Sequence, residues 1–216
     1  MDLLILAKEP RPGRVKTRLC PPCTPDQAAS VAAASLGDTL AAALASGADR
    51  VVLGLDGASG PWCPPGVEVV PQGTGSFSQR LDAVWSHARG PALQIGMDTP
   101  QITPSLLDAA LDLVLEHGSA FGLSEDGGWW ALGLPHPVPG CFDGVEPSRS
   151  DTGRNQLRRL RELGHEPAML RPIRDVDRWD DALAVAAEAP TGRFARAVAA
   201  VDAALAASAP VALPVR

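Results

Sequence analysis

The sequence predicts an α/β protein with a mostly parallel central sheet that is covered by helices on both faces. Strand-like and helix-like segments alternate along the chain, as they do in proteins of this class. The first predicted strand, Leu3 to Ala7, is an unbroken apolar run, which is typical of a strand buried on both faces. Glycine-rich polar motifs directly follow several predicted strands, where open α/β sheets bind their ligands.

The first predicted helix has well-marked boundaries. Thr24 has the residue type of an N-cap, Pro25 follows at the first helical position, and Gln27 completes a capping box. The helix is expected to continue to about Ser46 and to end at Gly47, because glycine is favoured just after the last helical turn.

Apolar runs and helical spacing predict the remaining elements in order. Further strands are expected at Arg50 to Leu55, Val67 to Val70, Ala92 to Ile95, Ser119 to Leu123, Trp129 to Leu134 and near Ala168 to Leu170. Further helices are expected over Ser76 to Ala88, after Thr103-Pro104, over Asp151 to Leu163, and twice in the Ala-rich region after Asp177. No long linker divides the chain, so residues 1–208 are expected to form one domain, with a frayed tail over residues 209–216.

Composition and charge exclude several classes of protein. The 216 residues carry a formal net charge of −6, whereas binding to a nucleic-acid backbone requires a basic surface. The sequence contains no run of about 18 apolar residues that could span a membrane, and the segment Met1 to Lys8 is too acidic for a signal peptide. The four cysteines do not form a dense disulfide framework. We therefore expect a cytoplasmic protein that binds neither nucleic acid nor membrane.

Five cationic residues are concentrated directly after the first predicted strand. They are Lys8, Arg11, Arg14, Lys16 and Arg18, and the same loop contains Gly13. Backbone N–H groups, a lysine and several arginines at the carboxyl end of a strand are suited to bind phosphate oxygens. The loop has neither the Walker pattern nor the G-x-G-x-x-G pattern. The alternative interpretation is a basic loop that is simply solvated.

Asp98 lies in the motif Gly96 to Pro100, at the carboxyl end of another predicted strand. A carboxylate at that edge, between a glycine and a proline, is well placed to bind Mg²⁺ beside bound phosphates. The alternative is that Asp98 caps the following helix. Thr103 already has the residue type and position of that cap, so the metal role is favoured.

Two further acidic motifs follow later strands. Glu125 to Gly128 offers carboxylates and a paired glycine that permits close approach to a ligand, although an ordinary hairpin turn explains the same residues. Asp175 to Asp177 precedes a predicted helix, and a helix cap and a metal ligand explain it equally well.

These motifs together resemble those of a known family. The segment Ala7 to Leu19 is similar to the signature A-K-x-P-x-P-G-x-V-K-T-R-L of the DUF2064 proteins, also called the rSAM/selenodomain-associated transferase 1 family. The likeness continues in the same order through Gln72 to Gly75, Gly96 to Pro100, Glu125 to Gly128 and Asp175 to Asp177. The family lies within the nucleotide-diphospho-sugar transferase, or GT-A-like, superfamily.

The resemblance implies a Rossmann-like GT-A fold with a nucleotide bound at the first loop and a divalent ion bound at Asp98. It also implies which residues contact the substrates. The nucleotide and its phosphates are expected to contact Ala7, Lys8, Arg11, Gly13, Arg14, Lys16, Arg18, Gln72, Gly73, Gly75 and Arg80. Other substrate contacts are expected from Glu125, Asp126, Gly127, Gly128 and Trp129.

The chain departs from the family pattern at two places. Family members usually have Q-G-x-G-D-L-G-x-R-L, whereas Ser76 stands here in place of the aspartate and Ser78 in place of the third glycine. After the paired glycines, where the family has a tyrosine, this chain has Trp129 and Trp130 and contains no tyrosine at all. Both changes bear on the choice of substrate, and they leave open a protein that binds nucleotides without turnover.

Together the motifs predict a transferase that depends on Mg²⁺ or Mn²⁺, with nucleotidyl transfer from an NTP slightly favoured. Lys16 is expected to stabilise phosphate charge in the transition state, and Asp98 to hold the metal with Asp126 or Asp177. The cationic loop concentrates more positive charge than a diphosphate needs, which favours a triphosphate donor. A glycosyltransferase that uses an NDP-sugar is the alternative enzyme. In either reaction the acceptor is expected to be a small molecule.

Overall fold

The computed structural model describes residues 1–208, and the seven strands in this range form one sheet. The strands are β1 (Asp2–Lys8), β2 (Arg50–Asp56), β3 (Val67–Pro71), β4 (Ala92–Gly96), β5 (Ala120–Ser124), β6 (Trp129–Leu134) and β7 (Ala168–Ile173). Their order across the sheet is β3-β2-β1-β4-β6-β5-β7. Strand β6 is antiparallel to both of its neighbours, and every other pairing is parallel. The predicted α/β class is therefore confirmed.

Helices cover both faces of the sheet. They are α1 (Pro25–Leu44), α2 (Phe77–Trp85), α3 (Pro104–His117), α4 (Thr152–Glu162), α5 (Trp179–Glu188) and α6 (Arg193–Ser208). Helices α1 and α3 pack on one face, while α2 and α4 pack on the other. Helices α5 and α6 form an additional layer against the outer side of α1. None of the helices within residues 1–208 is long and apolar enough to cross a membrane.

Strand β1 shows why an unbroken apolar run was needed at the centre of the sheet. Side chains alternate between the two faces of a strand, so Leu3 and Ile5 join the core under α1 and α3, and Leu4 joins the core under α2. All three side chains are fully buried. Because β1 lies between two parallel neighbours and beneath helices on both faces, neither set of positions tolerates a polar side chain.

The predicted start of α1 is confirmed, but its predicted end is two residues too late. Thr24 Oγ1 accepts a hydrogen bond from Gln27 N at 3.2 Å, and Gln27 Oε1 accepts one from Thr24 N at 2.8 Å. The helix ends at Leu44 because the Ser46 hydroxyl donates to the Ala43 carbonyl at 2.7 Å and closes the last turn. Gly47 instead donates its N–H to a carboxylate of α3. The predicted frayed tail, residues 209–216, lies outside the described residues.

Helix α2 begins with a second reciprocal cap, in which Ser76 replaces the aspartate of the family pattern. Ser76 Oγ accepts from Gln79 N at 3.3 Å, and Gln79 Oε1 accepts from Ser76 N at 2.8 Å. Serine and aspartate are comparably good N-caps, so the change keeps the start of the helix. Within the first turn, the Ser78 hydroxyl donates to the Phe142 carbonyl at 2.7 Å and attaches α2 to the segment before α4.

The Ser76 cap yields a stability prediction. We expect Ser76→Ala to lower the free energy of unfolding by about 1 kcal/mol, because the Gln79 N–H loses its acceptor. Ser76→Asp, the matched control, should stay within about 0.5 kcal/mol of the wild type because aspartate accepts the same hydrogen bond. Urea denaturation followed by circular dichroism measures both values. Equal stability of the alanine and aspartate variants would contradict the prediction.

Candidate active site

A cavity of about 570 Å³ lies at the carboxyl edge of the sheet. It forms where the segments after β1, β3, β4, β5 and β7 converge, beside the boundary between β1 and β4. At that boundary the chain connections lead to opposite sides, which is where open α/β sheets bind ligands. The fold therefore brings together motifs that are up to about 170 residues apart in sequence, as expected from the shared edge of parallel strands.

The charged side chains around the cavity have a positive net charge, whereas the net charge of the whole chain is negative. Six are cationic: Lys8, Arg14, Lys16, Arg18, Arg80 and Arg149. Four are carboxylates: Asp98, Asp126, Asp175 and Asp177. The formal balance is thus two positive charges in a protein whose net charge is −6. Such a site suits a strongly anionic ligand that binds together with a cation.

Lys16 lies at the centre of this arrangement. Its Nζ is 2.8 Å from Asp98 Oδ1, and it also donates a hydrogen bond to the Val176 carbonyl. The side chain is 9% exposed. The backbone of Lys16 has φ = 48°, in the left-handed region that residues other than glycine seldom adopt. Lys16 therefore holds the basic loop against the ends of β4 and β7 at the cost of a disfavoured backbone conformation.

Asp98 contributes to the cavity through its side chain and does not cap a helix. Thr103 is the N-cap of α3, as predicted, and its hydroxyl accepts from Leu106 N at 3.2 Å. The Asp98 carbonyl accepts from Val176 N at 2.9 Å. Asp98 Oδ1 is buried but accepts no hydrogen bond, since its close contact with Lys16 lacks hydrogen-bond geometry. The charge of this carboxylate oxygen is therefore balanced by the Lys16 ammonium, and its hydrogen-bonding capacity is not satisfied by the protein.

Asp175 is a site residue that the sequence analysis missed. It is half-buried, and burial together with the negative charge of Asp126 raises its pKa from the ordinary 3.8 to about 6. Lys16 acts in the opposite direction, and Asp98 raises the pKa further. Residues of the same segment were considered for metal binding, but Asp177 was selected from it. The sequence did contain one indication of a role for Asp175, which is that it is the first carboxylate after β7.

Asp177 lines the same cavity but is already paired. Both of its carboxylate oxygens accept hydrogen bonds from Arg18, at 2.9 and 3.1 Å. It does not cap α5, because the Asp181 carboxylate accepts the N–H of Arg178 at the start of that helix. The helix-cap interpretation of this motif is therefore wrong for Asp177, and its role as a metal ligand stays a prediction.

The turn after β5 combines a hairpin with part of the cavity wall. Asp126 Oδ1 accepts from Gly128 N at 2.7 Å, and both residues line the cavity. Gly127 has φ = 93°, and a Cβ there would lie 2.0 Å from the Ser150 carbonyl oxygen. Gly153 N donates to the Gly127 carbonyl at 2.8 Å, so this glycine allows the start of α4 to pack on the turn. The segment Glu125 to Gly128 is thus both an ordinary hairpin turn and a part of the cavity wall.

Gln72 closes the opposite side of the cavity. It is buried at the end of β3, and its Nε2 donates to the carbonyls of Ala7 and Gly54 at 2.8 and 2.9 Å. These two bonds connect the ends of β1, β2 and β3. Gly73 and Gly75 both have positive φ, as the sharp turn into α2 requires.

The carboxylates around Lys16 do not form a complete set of metal ligands. They fit a divalent ion whose remaining ligands are phosphate oxygens and water. Within residues 1–208, no group of three or more His, Cys, Asp or Glu side chains is positioned to hold a metal ion. Mg²⁺ is commonly bound by one or two carboxylates, with substrate phosphates and water completing its shell. The unused Oδ1 of Asp98 supplies a donor of the required type. Asp126 and Asp175 are near enough to interact electrostatically with each other.

Residues 28–149, more than half of the chain, match the family described as "Uncharacterized protein conserved in bacteria (DUF2064)". The chain belongs to this family. The matched DUF2064 segment includes Gln72, Asp98 and Asp126, but neither the basic loop with Lys16 nor Asp175. Among curated proteins, none matches the chain.

Solved structures share the fold of this DUF2064 protein. A candidate nucleotide-diphospho-sugar transferase from Desulfovibrio desulfuricans G20 superposes with a TM-score of 0.83, at 21% identity over 95% of this chain and 96% of that one. Rv0371C of Mycobacterium tuberculosis H37Rv, in complex with manganese, gives 0.52 at 21% identity over 85% and 96%. A CMP:2-keto-3-deoxy-manno-octonic acid synthetase complexed with CTP gives 0.53 at 13% identity over 87% and 96%. The fold is thus the Rossmann-like fold of these transferases.

In the structure of this DUF2064 protein, most of the predicted site residues lie at one cavity. Those that line it are Ala7, Lys8, Arg14, Lys16, Arg18, Gln72, Arg80, Asp98, Asp126, Gly128, Trp129 and Asp177. Those that do not line it are Arg11, Gly13, Gly73, Gly75, Glu125 and Gly127. Arg11 is exposed and lies 3.8 Å from Glu9, while Glu125 pairs with Arg174 at 3.0 Å. Arg149 and Gln94 line the cavity without having been selected from the sequence.

The raised pKa of Asp175 predicts a pH-dependent stability. The folded state binds the proton of Asp175 more tightly than the unfolded state does, so its ionisation destabilises the fold as pH rises from about 4 to about 6. We expect Asp175→Asn to match the wild type at about pH 3, below the ordinary pKa of 3.8, where the Asp175 carboxyl is protonated in both states. Above pH 7 it should be more stable by about 1–2 kcal/mol, since solvent screens part of the roughly 3 kcal/mol that a rise in pKa from 3.8 to about 6 represents.

Denaturant unfolding at about pH 3, 6 and 7.5 in the absence of divalent ions measures this effect. Asp177→Asn is the matched control. It removes a carboxylate that is paired with Arg18, so it should not raise stability at any of these pH values. An Asp175→Asn protein that is less stable than the wild type at pH 7.5 would refute the interpretation.

Proposed function

We propose that this protein is a transferase that acts on a nucleotide with the help of Mg²⁺ or Mn²⁺, and that it transfers a nucleotidyl group from an NTP to a small molecule. The observation that carries the proposal is the charge of the cavity. Six cationic and four acidic side chains converge at the carboxyl edge of the sheet in an acidic protein. Phosphates require the first set and a phosphate-bound metal ion requires the second.

The basic loop supplies the phosphate-binding groups in this proposal. Arg14, Lys16 and Arg18 line the cavity and can bind phosphate oxygens through charge-assisted hydrogen bonds. Lys16 is the best placed to stabilise the transition state, because it lies where the loop meets Asp98. Its buried ammonium group is fixed before the ligand arrives, and preorganised charge of this kind is the main source of catalysis in phosphoryl and nucleotidyl transfer.

Asp98 is the proposed principal metal ligand, with Asp126, Asp175 or Asp177 as a second one. A divalent ion bound there would neutralise charge on the phosphate oxygens. Of the three candidates, Asp175 is favoured over Asp177 because Arg18 already occupies both oxygens of Asp177. The protein would accelerate the reaction by holding an acceptor oxygen in line with the phosphorus, so a covalent nucleophile on the protein is not needed.

Two observations bear on the choice between an NTP and an NDP-sugar. The synthetase with the related fold is complexed with CTP, which supports an NTP. The candidate nucleotide-diphospho-sugar transferase with the same fold supports a glycosyltransferase as the second candidate. Ser76 and Ser78 have structural roles in α2, so their departure from the family pattern does not by itself favour a protein without turnover. The expected cytoplasmic location stays a prediction.

Lys16 should discriminate between nucleotide classes. We expect some NTP to bind more tightly than the matching NDP and NDP-sugar in the presence of Mg²⁺. Lys16→Ala should remove most of that preference, and turnover should fall about 10²–10³-fold once an acceptor is known. Competition calorimetry with the NTP, NDP and NDP-sugar of each base measures the preference.

Arg11→Ala is the control for Lys16→Ala, because Arg11 is a cation of the same loop that does not line the cavity. It should change the affinity for an NTP by less than about threefold, the scale of a screened surface charge. Tighter binding of an NDP-sugar than of every NTP would overturn nucleotidyl transfer and favour glycosyl transfer.

Asp98 should couple nucleotide binding to the metal. We expect Mg²⁺ or Mn²⁺ to strengthen nucleotide binding to the wild type by about tenfold or more, and Asp98→Asn to abolish that gain while the fold is retained. Glu125→Gln is the control, since this carboxylate is near the same edge but outside the cavity. Titrations with and without EDTA provide the comparison. Equal metal enhancement in Asp98→Asn and in the wild type would assign Asp98 a structural role.

A further inference from the structure

One end of the cavity is uncharged and reaches down to the sheet. It lies on the face that α2 and α4 cover, and we call it the inner pocket. Its residues are Leu6, Phe77, Leu81, Gln94, Gly96 and Trp129. None of these six side chains is ionisable, in contrast to the charged edge formed by the basic loop and the aspartates. The inner pocket therefore calls for a different kind of ligand group from the phosphates.

The amide of Gln94 has only one chemically reasonable orientation. The indole Nε1 of Trp85 can only donate a hydrogen bond, and it lies 2.5 Å from Gln94 Oε1. The Nε2 group of Gln94 must then face the cavity, which this side chain lines. Within residues 1–208 this Nε2 donates to no protein acceptor, and the Gln94 residue as a whole is only 3% exposed. Because the Nε2 group is open to the cavity, a ligand or water there can accept its hydrogen bond.

Gly96 leaves open space above the floor of the inner pocket. A Cβ at Gly96 would meet no atom closer than Asp98 N, at 3.9 Å. Two other strand glycines differ in this respect. A Cβ at Gly54 would lie 2.3 Å from Val84, and one at Gly133 would lie 2.2 Å from Val114. At those positions a helix side chain fills the space over the glycine, whereas no side chain does so over Gly96.

Two cations border this side of the cavity, and each has a carboxylate partner. Arg149 lies 3.1 Å from Glu146 and 3.2 Å from Asp151, and Arg80 lies 4.0 Å from Asp56. Neither therefore brings an uncompensated charge to the inner pocket. The pocket offers apolar contact with Phe77 and Trp129 together with one hydrogen-bond donor, which matches an uncharged group that carries an oxygen acceptor.

We propose that the inner pocket binds the acceptor substrate, and that Gln94 selects for an uncharged, mainly apolar portion of it by donating a hydrogen bond to a carbonyl or hydroxyl oxygen. The proposal rests on the transferase function proposed above, and it names the chemical class of the second substrate. The position is suitable because Gly96 ends β4 and Asp98 follows two residues later in the same cavity, so a group in the pocket lies near the proposed metal ligand.

Two ring compounds of matched size test the proposal in ¹⁵N NMR titrations of the whole protein. Cyclohexanone presents an oxygen acceptor on an apolar ring, whereas cyclohexylammonium has the same ring with a charge and no acceptor. We expect cyclohexanone to shift the side-chain NH₂ signals of Gln94 and the amide signal of Gly96. Cyclohexylammonium should bind at least tenfold more weakly.

A pair of glycine variants supplies the control. Gly96→Ala places a methyl group in the open space without a clash and should weaken cyclohexanone binding at least tenfold. Gly90→Ala, before the other end of β4, adds a methyl group that meets no atom within 4 Å, and it should bind as the wild type does. Gly90→Ala should also bind Mg²⁺ and an NTP with unchanged affinity.

The outcomes separate this proposal from the proposed function. Equal binding of the two ring compounds, an unshifted Gln94 signal, wild-type cyclohexanone binding by Gly96→Ala, or displacement of cyclohexanone by an NTP would each overturn the assignment of the inner pocket to the acceptor. Cyclohexanone binding at Gln94 with no nucleotide binding in any form would instead overturn the transferase function, and the acceptor role with it.

Discussion

The architecture of the cavity depends on one ion pair, that between Lys16 and Asp98. Its two residues belong to segments that follow β1 and β4, the strands between which the sheet reverses its order. Through its hydrogen bond to the Val176 carbonyl, the same ammonium group also fixes the segment after β7. The left-handed backbone of Lys16 is a cost of about 1–2 kcal/mol that the fold accepts to place this charge. Without the Lys16–Asp98 ion pair, the basic loop would lose its link to the end of β4 and would keep the link from Arg18 to Asp177.

The ion pair also explains how a metal ion and a phosphate could be accommodated without rebuilding the site. In the ligand-free protein, Lys16 is the counter-ion of Asp98, and burial together with the negative charge of Asp126 raises the pKa of Asp175. In the proposed reaction a divalent ion would balance the charge of these carboxylates, and Lys16 could interact with phosphate oxygens instead. Charges of both signs would then be compensated by the ligands. The uncharged inner pocket is set apart from this exchange, which suits it to a chemically different substrate.

Local features of the sequence predicted much of the fold and part of the site. The caps at Thr24 and Thr103 and the apolar run of β1 depend on neighbouring residues, so they could be recognised without a structure. The sequence analysis selected Asp177 as a metal ligand and did not select Asp175. This choice shows what local patterns cannot reveal, because Asp177 pairs with Arg18, a residue far away in the sequence. Gln94 could have been noticed as a polar residue within a buried strand, but its orientation is set by Trp85. The space over Gly96 depends on where α2 and α4 lie, which no local pattern encodes.

The central claim is that Asp98 and Lys16 form a binding site for a metal ion and phosphates. Anomalous diffraction from crystals soaked with Mn²⁺ and inorganic tripolyphosphate tests it directly and does not depend on the identity of the base or the acceptor. The account predicts a manganese peak bonded to the Asp98 carboxylate, with Lys16 Nζ contacting a phosphate oxygen. A manganese site elsewhere, with the Lys16–Asp98 ion pair intact and the tripolyphosphate outside the cavity, would contradict it.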